Sequence, residues 1–114
     1  MKLEDSADGW ELDDAEVRQR NAPDLYSIPP LEERLDVQVG ERVALHFYFR
    51  GRDQHGVYIQ SERLRLTVRA ASPFGYVGIL DETPASSILL HKGDSVSFEP
   101  RHIAGIYWNP GTSS

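Results

Sequence analysis

Two stretches of alternating apolar residues constrain the fold of this chain more than any other feature of its sequence. Every second residue is apolar in both stretches, at Val43, Leu45, Phe47, Phe49, Leu64, Leu66 and Val68. Because successive side chains of a β-strand point to opposite faces, this period of two predicts strands and not helices. The other face of the first stretch is also partly apolar, so we predict a central strand that is covered on both sides.

Shorter elements are predicted around these two strands. We expect further strands at residues 57–60, 74–80 and 95–99, a polar hairpin loop at 51–56, and a last edge strand or lid at 103–108. Acidic residues followed by basic ones indicate a short helix at 11–21, and one helical turn is predicted after Pro30. The fold class we expect is α+β, mostly β, with a small, strongly curved antiparallel sheet or barrel and one N-terminal helix.

Charge divides the chain into an acidic start and a nearly balanced body. The sequence has 18 acidic and 12 basic residues and a net charge of −6, and residues 1–22 hold seven of the acids and three of the bases. A chain of 114 residues fits one domain. We therefore divide it into an acidic N-terminal arm with a short helix at 1–22, a single β-rich domain at 23–108 and a C-terminal tail at 109–114. The arm is either a solvated segment or a contact for a basic partner.

Several classes of chemistry are excluded or disfavoured by what the sequence lacks. The chain has no cysteine, which excludes disulfides, thiolate zinc sites and cysteine nucleophiles. It has no phosphate-binding glycine loop, no nucleophile elbow and no histidine spacing typical of metal sites, so we expect no metal and no cofactor. Its negative charge argues against nucleic acid as a partner. Without an apolar span or a signal segment, we expect a cytoplasmic protein with no membrane contact.

Candidate binding residues lie on the predicted strands. Arg63, Arg65 and Arg69 share one strand face and suit an acidic partner or an anion. His46 lies on the second face of the central strand, where a packed imidazole and a ligand or general base are both open interpretations. Trp108, in the last apolar group, is a candidate interface anchor. No residue is assigned a catalytic role.

A series of short motifs runs in a familiar order through residues 27–103. The motifs are Ile28-Pro29, Glu33-Arg34, Val39-Gly40-Glu41, Val43-Ala44-Leu45, Glu62-Arg63-Leu64, Tyr76-Val77-Gly78-Ile79-Leu80, Lys92-Gly93-Asp94, Val96-Ser97-Phe98 and His102-Ile103. In this order the chain resembles a group of small bacterial domains of unknown function, some of which have been proposed as immunity proteins of polymorphic toxin systems. The resemblance implies a bacterial protein. It adds the matched polar residues Glu62, Asp81, Asp94 and His102 to Arg63 as binding-site candidates.

Three hypotheses for function follow. The first is a non-enzymatic protein-binding module, of the immunity type that the resemblance implies, whose acidic surface meets a basic partner. The second is a small-ligand binder or small enzyme that uses His46 or His102 with Arg63 in a barrel mouth. The third is a single-stranded nucleic-acid binder, in which aromatic side chains stack on bases. The sequence favours the first, and it leaves enzyme activity and oligomeric state undecided.

Overall fold

The structure, a computed structural model, describes residues 9–107. Its strands are β1 (Trp10–Leu12), β2 (Arg42–Asp53), β3 (Gly56–Ser72), β4 (Gly75–Leu80), β5 (Ser95–Phe98) and β6 (Ile103–Tyr107). Its helices are α1 (Ala15–Asn21) and α2 (Leu31–Arg34), and a 3₁₀ turn (Pro100–His102) separates β5 from β6. With 47% strand and 14% helix, the expected mostly β domain of the α+β class is confirmed. Within residues 9–107, no helix is long and apolar enough to cross a membrane.

The strands form one antiparallel sheet in which β2 has neighbours on both sides. On one side β3, β4 and β5 follow in order, and on the other side β1 and β6 both pair with β2. β6 pairs with residues 42–45 of β2, and β1 pairs with residues 47–49. The sheet curls into a half-barrel, which confirms the expected strongly curved antiparallel sheet.

The short link between β5 and β6 explains why the sheet curls. β5 is the last strand on one side of the sheet and β6 pairs with β2 on the other, so that β2, β3 and β4 lie between them. In a flat sheet, strands four places apart are separated by roughly 19 Å. The chain from Phe98 to Ile103 spans about 17 Å when fully extended, and the 3₁₀ turn within it shortens that reach. A flat sheet would therefore leave the link too short.

The inner face of the half-barrel is filled by the apolar residues of the alternating pattern. Its buried side chains include Val43, Leu45, Phe47, Phe49, Leu64, Leu66, Val68, Leu80, Val96, Phe98 and Ile103. The rings of Phe47 and Phe49 stack with centroids 5.8 Å apart, and the Trp10 ring packs 5.7 Å from that of Phe47. Ala44, on the opposite face of β2, is fully buried as well. β2 is therefore central in the sheet, as predicted, but its outer face is covered fully only at Ala44 and partly at His46 and Tyr48.

Helix α1 is shorter than the sequence pattern predicts. It begins at Ala15 and not at residue 11, because Asp14 caps it by accepting the Val17 N–H at 3.1 Å. The residues before the cap form β1, where Glu11 lies opposite Tyr48 of β2. A strand of three residues is too short to show a period of its own, so the pattern alone did not separate it from the helix. The division of the chain at residue 22 stays a prediction.

The hairpin that joins β2 and β3 is longer than the sequence pattern predicts. The interpretation of residues 51–56 as a loop is wrong, because the turn contains only Gln54 and His55. Gly51 stays in β2, where the ring of Tyr58 on the opposite strand covers it in the place a side chain would take. The strands predicted at 57–60 and around 64–69 are one continuous strand, β3.

The buried Arg34 side chain ties both helices to the 3₁₀ turn. Its guanidinium donates to the Glu16 carboxylate at 2.6 Å and to the backbone oxygens of Pro29 and Pro100 at 2.8 and 3.2 Å. The Tyr76 hydroxyl of β4 donates to the Arg34 carbonyl oxygen at 2.8 Å. Because a buried guanidinium is stable only with its donors satisfied, these bonds fix α1 and α2 relative to the sheet.

Truncation of Phe47 tests the assignment of the core. We expect Phe47→Ala to lower the free energy of unfolding by about 3–5 kcal/mol, because it leaves a cavity among fully buried side chains. Phe74→Ala is the matched control, since Phe74 is 89% exposed and its loss should change that free energy by less than about 0.5 kcal/mol. Urea unfolding followed by circular dichroism measures both, and equal losses would contradict the assignment.

Candidate functional site

Arg63 crosses the outer face of the sheet, the face that points away from the core. It lies opposite His46 in the β2–β3 register. Its guanidinium passes so close to Gly105 of β6 that an added Cβ there would lie 2.6 Å from Nη2. The same Nη2 donates to the Tyr107 hydroxyl at 2.6 Å. Arg63 thus connects β3, β2 and β6, and the missing side chain at Gly105 is what gives it room.

A small pocket, which we call the arginine pocket, lies beside Arg63 on the outer face. It has a volume of about 140 Å³, and its charged and ring-bearing lining residues are Arg18, Tyr26, His46 and Arg63. The Tyr26 and His46 rings are nearly perpendicular with centroids 6.4 Å apart, and the Arg18 guanidinium lies 4.9 Å from the centre of the Tyr26 ring. With Ala104 of β6, the pocket therefore brings together α1, the segment after it, and three strands.

The charges around the arginine pocket do not cancel. Arg18 pairs with the Asp13 carboxylate at 2.5 Å and donates to the Tyr48 hydroxyl at 2.9 Å. Arg63 has the Tyr107 hydroxyl and no carboxylate within ion-pair distance among residues 9–107. Burial lowers the pKa of the His46 imidazole below its usual value, and the positive charges of Arg18 and Arg63 lower it further. At neutral pH the pocket therefore holds a neutral imidazole beside one uncompensated guanidinium.

Arg65 and Asp81 belong to a different cluster, which fastens the loop after β4. The Arg65 N–H donates to the Glu82 carboxylate at 2.9 Å, and the Arg65 carbonyl oxygen accepts the Asp81 N–H at 2.9 Å. The Asp81 carboxylate accepts the Thr67 hydroxyl at 2.9 Å and lies 3.8 Å from the Arg42 guanidinium. Both candidates therefore have local partners that account for their positions.

Glu62 holds the loop that follows β4 through two backbone hydrogen bonds. Its carboxylate oxygens accept the Ala85 N–H at 3.0 Å and the Ser86 N–H at 2.7 Å. Burial raises the pKa of Glu62, but hydrogen bonds from Ser86 and Ala85 outweigh burial and bring the pKa below its usual value. This carboxylate is engaged by its own chain.

Arg69 and Asp94 lie in irregular backbone. Arg69 is the residue that the β3–β4 register skips, so it sits in a β-bulge. The Asp94 carboxylate accepts the His91 N–H at 2.8 Å in the turn before β5. Neither residue lines the arginine pocket, so the structure does not bring the predicted arginine stripe into one site.

His102 lies in a second, shallower groove beside the tip of the β3–β4 hairpin. This groove has a volume of about 420 Å³ and a mainly apolar lining. The His102 Nδ1 accepts the Glu99 N–H at 3.0 Å, which makes the ring part of the 3₁₀ turn. Of the two histidines proposed as partners of Arg63, His46 shares a pocket with it, whereas His102 lines the other groove formed by the described residues. Trp108 lies outside the described residues.

β3 has a free edge on the side away from β2. Both backbone groups of Arg65 point to that side, and alternate residues of an antiparallel strand point the same way. The N–H and C=O groups of Val57, Ile59, Ser61 and Arg63 therefore face outward along this edge. β4 pairs only with residues 66–72 of β3. In the part of the chain that the structure describes, no strand covers residues 57–63 on that side.

The free edge continues into a projecting hairpin ribbon, residues 50–60. β1 pairs with β2 only as far as Phe49, so the ribbon extends beyond the neighbouring strands. Its apolar residues Val57, Tyr58 and Ile59 are 52%, 40% and 50% exposed. An unpaired edge with exposed apolar side chains is a surface that proteins normally cover or use for binding.

No protein-family model matches the chain, and neither a curated protein nor a solved structure is significantly similar to it. Among residues 9–107, no group of three or more histidine, cysteine or acidic side chains is placed to hold a metal ion. The candidate sites therefore rest on geometry. The arginine pocket and the free edge of β3 are two places where the geometry of residues 9–107 leaves polar groups directed outward.

The sequence pattern does not indicate that Arg18 and Tyr26 line the arginine pocket. Their approach to His46 depends on how the chain folds back after α1. The pairing of His46 with Arg63, in contrast, can be predicted from the sequence. Once the turn is assigned to Gln54 and His55, counting back along both strands places these two residues opposite each other.

Replacement of Glu62 tests its hold on the loop. We expect Glu62→Gln to lower the free energy of unfolding by about 1 kcal/mol at about pH 7, because one backbone N–H loses its acceptor. The folded pKa of Glu62 lies below its usual value of 4.5, so the carboxylate stabilises the fold above that pH. This contribution disappears as the pH falls through the folded pKa. Urea unfolding at a series of pH values measures the difference between wild type and variant.

Glu32→Gln is the control for this comparison. Glu32 is exposed and has no side-chain hydrogen bond in the described region, so its replacement should change the free energy of unfolding by less than about 0.5 kcal/mol. A difference between wild type and Glu62→Gln that persists unchanged at low pH would contradict the role of the charged carboxylate.

Proposed function

We propose that the chain is a non-enzymatic protein-binding module that pairs a strand of its partner with the free edge of β3. The observation that carries the proposal is the outward direction of the backbone groups of Val57, Ile59, Ser61 and Arg63. A strand added there would form main-chain hydrogen bonds, and its side chains would pack against the exposed apolar residues of the hairpin ribbon. The resemblance to small bacterial domains of unknown function, some of them proposed as immunity proteins, agrees with this class, and we propose an immunity-type role as its specific form.

The side chains beside the free edge define the chemistry of the partner strand. On the outer face the edge presents Val57, Ile59 and Arg63, and Arg52 lies opposite Val57 on β2. Neither Arg52 nor Arg63 has a carboxylate within ion-pair distance among residues 9–107. A partner strand with apolar and acidic residues on this face would therefore be complementary to it.

The acidic N-terminal arm is a weaker candidate for the contact surface than the free edge of β3. Of the four carboxylates in the part of the arm that the structure describes, those of Asp13, Asp14 and Glu16 each lie 3.2 Å or less from an arginine of the same chain. A carboxylate that is already paired attracts a basic partner only weakly. The proposal therefore moves the main contact from the arm to the hairpin.

A second copy of this chain is less suited to the free edge than another protein. Each copy carries a net charge of −6, so two copies repel one another. Exposed strand edges nevertheless pair readily with copies of themselves. Self-association is therefore an outcome that the experiment must separate from binding of a partner.

Ser61→Pro, compared with Ser61→Ala, tests strand addition. The Ser61 N–H faces outward, so proline removes a hydrogen bond to the partner without removing one to β2. Alanine keeps the N–H. In capture experiments from a lysate of the source cells, we expect wild type and Ser61→Ala to retain the same protein and Ser61→Pro to retain at least about tenfold less. Unfolding midpoints measured beforehand show that both variants fold.

Amide exchange in the complex identifies the edge directly. We expect the outward N–H groups of Ile59, Ser61 and Arg63 to become protected, while those of Tyr58 and Gln60, which face β2, are protected with and without partner. Equal retention by Ser61→Pro and Ser61→Ala would contradict the proposal. So would protection of the same edge in the isolated protein at high concentration, or salt-sensitive retention of oligonucleotides without any protein.

A further inference from the structure

Three side chains that can carry a positive charge reach the arginine pocket from three separate elements. Arg18 comes from α1, His46 from β2 and Arg63 from β3. The ring nitrogens of His46 have no hydrogen-bond partner within residues 9–107, although the ring is half-buried. A half-buried imidazole between two guanidinium groups is an arrangement that an anion would stabilise.

Among residues 9–107, neutral groups and not a counterion hold Arg63 in this position. Its guanidinium lies 6.0 Å from the centre of the Tyr107 ring and donates to the hydroxyl of that ring at 2.6 Å. Gly105 leaves the space through which it passes. Arg65, two residues along the same face, instead lies 3.4 Å from the Glu82 carboxylate. Arg63 therefore keeps its full charge and several N–H donors for a ligand.

The volume of the pocket limits the size of that ligand. Pockets that enclose a drug-sized ligand have volumes of about 300–1,000 Å³. At about 140 Å³ the arginine pocket suits a smaller group, such as a tetrahedral oxyanion, and not a whole nucleotide. We propose that the arginine pocket binds a tetrahedral oxyanion, either free phosphate or the phosphoryl group of a small molecule whose remainder stays outside the pocket.

Binding of the anion is coupled to protonation of His46. The charged groups that face this imidazole are Arg18 and Arg63, which oppose its protonation, and Asp13, which favours it. A bound dianion shifts this balance towards the imidazolium form, so anion binding and protonation strengthen each other. We therefore expect tighter binding at about pH 5.5 than at about pH 7.5.

Sulfate is the probe for this test, because its charge does not change across that range of pH. In titrations of the full chain followed by NMR, we expect saturable binding of one sulfate. Arg63→Gln should weaken it at least about tenfold, and the control Arg65→Gln less than about twofold, since Arg65 is paired with Glu82. His46→Gln should abolish the dependence on pH, because glutamine does not gain a charge across this range.

Gly105→Ala tests the position of Arg63 without changing any charge. The added methyl group would occupy the place of the Arg63 guanidinium, and because Arg63 has a flexible side chain it can move away at little cost to folding. We expect a loss of sulfate affinity similar to that of Arg63→Gln. Unfolding midpoints without sulfate show whether each variant is folded.

Two results would overturn the proposal. One is that wild type shows no saturable binding of sulfate. The other is that Arg63→Gln and Arg65→Gln weaken binding equally, because this would indicate diffuse attraction.

Parallel titrations with phosphate and glycerol phosphate distinguish the sources of the anion. Tighter binding of the ester identifies a phosphoryl group of a larger molecule, and equal binding identifies the free ion. Ser61→Pro leaves every residue that lines the pocket unchanged, so it should bind sulfate normally even if it loses the protein partner.

Discussion

The short link from Phe98 to Ile103 is the constraint on which the rest of the structure depends. It joins the two sides of the sheet, so the sheet must curl, and the curled sheet encloses the core on its inner face. The same link delivers β6 to the free side of β2, which places Gly105 and Tyr107 on the outer face where Arg63 reaches them. One connection therefore determines both the closure of the core and the position of the candidate anion site.

Fold class was predictable because the information it needs is local. The alternation of apolar and polar residues along a strand predicts which face meets the core. The alternation at Val43, Leu45, Phe47 and Phe49 predicted a strand at this position and its central place in the sheet. The limits of elements were harder to predict, because they depend on contacts with distant residues. By its sequence alone Gly51 predicts the end of a strand, but the Tyr58 ring covers it and the strand continues. Glu11 fits a helical pattern, but pairing with β2 makes it part of a strand.

The site was less predictable than the fold, because a shared strand face does not mean a shared environment. Arg63, Arg65 and Arg69 are equivalent in the alternation of β3, yet Glu82 pairs with Arg65 and a bulge takes Arg69 out of the regular register. Glu62 was a candidate binding residue, but its carboxylate accepts hydrogen bonds from the loop after β4. Which polar residue remains available is decided by neighbours from other elements, and these are not recorded in the local pattern.

Arg63 belongs to both proposed sites, and this has a consequence for how they act together. Its backbone groups face the free edge of β3, whereas its side chain lines the arginine pocket. A partner strand that bonds the backbone at this residue restrains the guanidinium, and an anion that holds the guanidinium restrains the strand edge. Such effects are reciprocal, because the factor by which the anion changes partner affinity equals the factor by which the partner changes anion affinity. If an acidic side chain of the partner strand entered the pocket, it would compete with the anion for Arg63. Each ligand would then weaken the binding of the other instead of strengthening it.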